Sequence, residues 1–128
     1  MKLNLRNSIA FFDLEATGTN VGTDRIVEIS IVKLHPNEGR EIYTKRVNPS
    51  IPIPLEASLI HGIYDKDVKN EPLFKDIAKE IQQFIGAADL GGFNVLKYDI
   101  PLLVEEFLRS GIDFDLENRN LLDAQKIF

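Results

Sequence analysis

The chain has 128 residues, of which 15 are basic and 20 acidic, a net charge of −5, and no cysteine. This excludes disulfides, a thiol nucleophile and a thiolate metal site, so any metal would be held by oxygen or imidazole. The acidic balance excludes a basic face as the sole grip on nucleic acid, but not a grip through bound divalent cations that supply positive charge locally.

Ile9 to Phe12 is an unbroken apolar run, the pattern of a strand covered on both faces. Arg25 to Leu34 alternates, with Val27, Ile29 and Ile31 predicted on one face and Glu28 and Ser30 on the other. His35 to Gly39 signals a turn, and Glu41 to Val47 resumes as a third strand with Tyr43 and Val47 on one side. These three strands read as an antiparallel meander. Asn48 to Pro54 contains three prolines and reads as an extended loop.

A helix is expected to open at Pro72 and close at Gly86, burying Phe74, Ile77, Ala78, Ile81, Phe84 and Ile85 as one stripe. Asp89 to Phe93 reads as a short strand. A second helix follows Asp99 and ends at Gly111, with Ile100, Leu103, Val104, Phe107 and Leu108 as its apolar face. Asn120 to Asp123 reads as a fifth strand and Ala124 to Phe128 as the first turn of a further helix. The order predicts an α/β fold, a mixed sheet in which the first strand is central and pairs in parallel with the fourth through a helical crossover.

Side chains alternate along a strand, so Asp13 and Glu15 share a face if the first strand runs through them. On spacing alone this pair reads as a solvated strand end leading into the Thr17-Gly18 turn. Asp99, two residues before Pro101, reads alone as a helix N-cap. His61 reads alone as a satisfied histidine, and His35 as a surface one. Together the acids say more. Asp13 and Glu15 close the central strand and Asp99 follows its parallel neighbour, where ligand sites of open α/β sheets gather. Crowded carboxylates repel one another, and a hard divalent cation relieves the repulsion.

The segment Phe12-Asp13-Leu14-Glu15-Ala16-Thr17-Gly18 resembles the first motif of the DnaQ-like, or DEDD-type, 3′–5′ exonucleases. Leu59-Ile60-His61-Gly62-Ile63 is similar to the family's His-Gly-Ile segment, and Gly92-Phe93-Asn94-Val95-Leu96-Lys97-Tyr98-Asp99 to its second motif. The resemblance implies a ribonuclease H-like fold with a five-stranded sheet and flanking helices. It implies that Asp13 bridges two cations, Mg²⁺ or Mn²⁺, with Glu15 completing the first site and Asp99 serving the second. It implies that Thr17, His61 and Asn94 lie near the terminal nucleotide of a single-stranded DNA or RNA 3′ end, and it brings a DNA polymerase into view as a partner.

The family's third motif, with a histidine or tyrosine that activates water and a last metal-binding aspartate, lies on a helix beyond the fifth strand. The chain ends before it, so the expectation is a metal-dependent 3′–5′ exonuclease domain spanning residues 1–128, short of its last catalytic helix and poorly active. Asp123 matches a position upstream of that motif and does not replace its aspartate. Two other readings compete: a non-catalytic module of nuclease ancestry that binds nucleic acid or protein, and a ribonuclease H-like enzyme cutting internally. With no membrane-length apolar run and no signal-peptide pattern after Lys2 and Arg6, the expected location is the cytoplasm.

Overall fold

β1 (Ile9–Ala16) lies at the centre of a five-stranded sheet of order β3-β2-β1-β4-β5, flanked by β2 (Ile26–Leu34) and β4 (Asp89–Gly92). This computed structural model describes residues 6–92 and 95–123. β1 runs antiparallel to β2, which pairs antiparallel with β3 (Arg40–Arg46). It runs parallel to β4, which pairs parallel with β5 (Leu121–Asp123). The meander, the central position of β1 and its parallel pairing with β4 are those the sequence predicts; the structure adds β5 beside β4. β4 packs close to β1: a methyl group added at Gly91 would sit 2.8 Å from the Phe11 ring and 3.4 Å from the Leu122 carbonyl oxygen.

Four helices follow the meander: α1 (Leu55–His61), α2 (Asp65–Val68), α3 (Phe74–Ile85) and α4 (Ile100–Arg109). α3 starts two residues after Pro72 and stops at Gly86, and it buries Phe74, Ile77, Ala78, Ile81 and Ile85 against the sheet. Phe84 is only partly buried. Asp76 accepts a hydrogen bond from the Leu73 N–H and so closes the first turn. α3 and α4 cover the face of the sheet formed by Ala10, Phe12, Leu14, Ile29 and Ile31. Phe107 is fully buried there, stacked on Phe114 at 4.7 Å and edge-on to Phe74 at 5.4 Å. Burying a side chain of that kind contributes about 2–3 kcal/mol.

Three expectations change. Val27 does not join Ile29 and Ile31. The β1–β2 register slips between Glu15 and Ala16, so that Glu15 pairs with Glu28 but Ala16 with Ile26. The bulge gives Ile26 to the main core and Val27 to a second cluster with Ile53, Ala57, Ile63 and Val68. Leu108 is 51% exposed, and Leu102 is buried in its place. The apolar stripe of α4 is thus rotated toward β2, where Glu106 also turns inward. Asp99 makes no capping hydrogen bond; its backbone is helical, and a π-helical turn (Val95–Asp99) leads into α4. The expected strand residue Phe93, the candidate Asn94 and the expected helical turn at 124–128 lie outside the described residues.

Residues 55–68, which carry no predicted element, form α1 and α2. Both are short, and α1 leaves Leu55, Leu59 and Ile60 exposed, so no buried stripe marks it in the sequence. Among the described residues, no helix is long and apolar enough to cross a membrane.

Candidate active site

At the carboxyl end of β1 a cleft of about 240 Å³ opens between α1, the loop after β1 and the start of α4. Glu15, His61, Tyr98 and Asp99 contribute to its lining. Alternation along β1 puts Asp13 and Glu15 on one face, opposite the core-facing Phe12 and Leu14. Asp13 is exposed and lies one pleat behind the cleft lining.

Asp99 reaches these acids from the π-helical turn that leads into α4. Its carboxylate accepts a hydrogen bond from the backbone N–H of Leu14, the residue between them. Burial raises its pKa to about 7, with repulsion by Asp13 and, more weakly, by Glu15 adding to the rise; the Leu14 hydrogen bond opposes it. The Glu15 pKa is also raised, first by burial and then by Asp13, with Glu28 adding to the shift and His61 working against it. Burial and the Asp13 charge thus both resist the charged forms of Glu15 and Asp99.

Those oxygen donors fit a hard divalent cation in kind, since a bound ion offsets both the burial cost and the repulsion. Among the described residues, no three His, Cys, Asp or Glu side chains are already drawn together tightly enough to hold an ion. Like charges that repel do not close up unaided.

His61 sits at the end of α1. Its Nε2–H donates to the Ala16 carbonyl at 3.1 Å, and its Nδ1 accepts the Ile63 N–H at 3.1 Å. These bonds tie α1 to the end of β1 and specify the neutral Nε2–H tautomer. Thr17 is 1% exposed. Its hydroxyl donates to Asp24 Oδ1 at 2.8 Å and accepts the Arg25 N–H at 3.0 Å. Thr17 thus shapes the cleft indirectly, by closing the loop whose residues Gly18 to Val21 form one wall. Asp24 also accepts the Asn20 N–H at 2.8 Å, and a Cβ on Gly18 would lie 2.5 Å from Asp24 Oδ2. A side chain at position 18 would have to push the Asp24 carboxylate out of these hydrogen bonds.

Two residues with no signal in the sequence hold this loop from behind. Glu106 is 3% exposed, and its Oε2 accepts the Ile26 N–H at 3.0 Å. Its Oε1 accepts from Arg109 Nη1 at 3.0 Å. Arg109 also donates to the carbonyls of Asp24 at 3.1 Å, Val21 at 3.1 Å and Gly22 at 3.2 Å. A Glu and an Arg three residues apart on a helix usually form an exposed pair, so spacing alone does not reveal this clamp.

Comparison with known proteins bears on the family and the fold. The chain is 33% identical over 135 residues to a DNA polymerase III subunit epsilon from Buchnera aphidicola subsp. Schizaphis graminum, covering 98% of this chain and 57% of that protein. It is 28% identical over 116 residues to the 3′-5′ exonuclease DinG of Bacillus subtilis, covering 90% of this chain and 12% of that protein. It is also 28% identical over 109 residues to a DNA polymerase III PolC-type of Caldanaerobacter subterraneus subsp. tengcongensis, of which it spans 8%. The chain therefore spans from under a tenth to somewhat over half the length of these relatives. Among solved structures, the fold matches E. coli exonuclease I in complex with a dT13 oligonucleotide at a TM-score of 0.83, with 17% identity, covering 95% of this chain and 29% of that one. The sheet order and flanking helices are those of the ribonuclease H-like fold. Residues 10–122 match the RNase T family model, described as an exonuclease, and the chain belongs to that family.

Proposed function

We propose that the chain carries the metal-binding core of a divalent-cation-dependent 3′–5′ exonuclease acting on single-stranded nucleic acid. The observation that carries this reading is Asp99, held by the Leu14 N–H so that its carboxylate meets the charges of Asp13 and Glu15 at the mouth of a cleft. Asp13, Glu15 and Asp99 would hold Mg²⁺ or Mn²⁺. Bound there, a pair of such cations supplies Lewis acidity for in-line displacement at a phosphodiester. The protein's own parts do the rest. Gly18 to Val21 and α1 wall the cleft, Thr17 fixes the loop, and His61 holds α1 against β1. Asn94 completes the substrate-binding set expected from the sequence. A polymerase as partner follows the name of the epsilon relative and belongs to the same proposal.

Hydrolysis by these 128 residues is expected to be slow. The sequence has two histidines. His61 uses both ring nitrogens in structural hydrogen bonds, and His35 pairs with Ser8 Oγ at 2.7 Å and Glu41 at 2.7 Å. Neither is free to take a proton from water, and general-base assistance is typically worth ~10²- to 10⁴-fold. The same observation favours a second reading, a binding module of nuclease ancestry.

The test incubates the protein with 5′-labelled single strands of DNA or RNA and Mn²⁺, with free or blocked 3′ ends. The proposal expects slow shortening from free 3′ ends that EDTA or Asp13→Asn abolishes. Strand binding without any shortening supports the module. Equal cutting of blocked and free ends contradicts the exonuclease reading.

A further inference from the structure

Behind the loop that walls the cleft lies a second pocket of about 210 Å³, formed by the start of β2, the turn after β3, the start of α3 and the end of α4. Arg25 and Lys75 both line it. The Arg25 Nε is buried without a hydrogen-bond partner, an unusual and costly state for a guanidinium donor. Lys75 is exposed on the first turn of α3 and has no ion-pair partner among the described residues. The buried Glu106 does not cancel this charge, because both its oxygens are taken, by Arg109 and by the Ile26 N–H. Two uncompensated cations thus face one pocket of a chain whose net charge is −5. Ser50 adds a hydroxyl to the same wall.

We infer that this pocket is a phosphate-binding subsite. The Arg25 guanidinium makes no side-chain hydrogen bond or ion pair among the described residues, and a guanidinium matches phosphate oxygens in a fork geometry that the ammonium of Lys75 complements as a point charge. The inference deepens the nuclease reading and rests on it for the source of the phosphate. The cleft is lined by carboxylates that repel a strand in the absence of metal, whereas this pocket attracts one. The two are joined by α4: Leu102 lines the cleft and Arg109 the pocket, about 10 Å further along the helix at 1.5 Å per residue. A single strand entering the cleft spans that distance within a few nucleotides. The phosphate is thus either a backbone phosphate of the strand or a free phosphate monoanion or dianion, and the two are separable.

Binding is measured in EDTA, so that the acidic cleft does not contribute. A labelled dT oligonucleotide is titrated with wild type, Arg25→Gln, Lys75→Gln and the double variant, across a range of salt. In parallel, thermal unfolding is followed with inorganic phosphate at constant ionic strength. Arg25 and Lys75 make no side-chain hydrogen bond or ion pair among the described residues, and unfolding of each variant without phosphate shows that it is folded and gives the baseline for its phosphate response. If a strand phosphate is the ligand, the double variant binds roughly tenfold more weakly at low salt, and its log–log salt slope falls by about 0.7. If free phosphate is the ligand, wild type alone is stabilised by phosphate and the variants are not. If the double variant matches wild type in strand binding, salt slope and phosphate response, the pocket is not a phosphate site. That outcome leaves the nuclease reading untouched, because Mn²⁺ binding and its loss in Asp13→Asn are measured separately.

Discussion

The Asp99 carboxylate accepts a hydrogen bond from the backbone N–H of Leu14, the residue that separates Asp13 and Glu15 in the chain. One consequence is a stability that depends on pH. The Asp99 pKa is raised from 3.8 to about 7, first by burial and then by Asp13. The folded protein therefore holds a proton that the unfolded chain releases above about pH 4. Stability of the metal-free protein should fall as pH rises from about 4 to 7 and level off above that, once the folded group is also ionised. Asp99→Asn keeps an acceptor for the Leu14 N–H and removes the ionisation, so it should flatten this slope. Urea unfolding in EDTA at several pH values checks it, and a mutant slope equal to that of wild type contradicts the assignment.

Asp13→Asn should leave the metal-free protein as stable as wild type or more so. Asp13 is exposed and raises the pKa of both Glu15 and Asp99 by repulsion. Functional sites commonly give up stability in this way. A loss beyond about 1 kcal/mol in chemical denaturation would instead mark Asp13 as a structural acceptor.

Arg109→Ala should destabilise the fold by about 2–3 kcal/mol, because it strands a buried Glu106 and frees the carbonyls of Val21, Gly22 and Asp24. Glu106→Gln in the same background should recover part of the loss by removing the uncompensated charge. Equilibrium unfolding of both variants measures this, and no recovery would mean the pair is not electrostatically coupled.

Gly18→Ala should cost about 1–3 kcal/mol and loosen the cleft wall, since the new methyl would meet Asp24 Oδ2 at 2.5 Å and push it from Thr17 and Asn20. Amide exchange at Asn20 and Arg25, both hydrogen-bonded within this loop, should accelerate more than exchange in β3. Uniform acceleration would show general rather than local loosening.

Strong periodicity made the sheet and α3 legible: the apolar run of β1, the alternation of β2 and the stripe Phe74–Ile77–Ala78–Ile81–Ile85 are each visible in the sequence. Asp13, Glu15 and Asp99 could be placed near one strand end because topology alone brings β1 beside β4. A bulge at Ala16 was not legible, because Val27 suits either side of the slip. Leu108 was misplaced because the buried Glu106 occupies a helix position that pattern reading assigns to solvent. Thr17 followed from its motif, yet its buried hydroxyl serves Asp24 and Arg25, a pairing seven and eight residues away that no local pattern announces.

Joint binding of a divalent cation by Asp13, Glu15 and Asp99 is the proposal on which the nuclease reading depends. Calorimetric titration of Mn²⁺ into the protein at pH 8, above the raised Asp99 pKa of about 7, tests it most directly. Saturable binding is expected, weakening toward pH 6 as Asp99 takes up its proton, and Asp13→Asn and Asp99→Asn should each remove it. Binding of equal strength in wild type and both variants would contradict it.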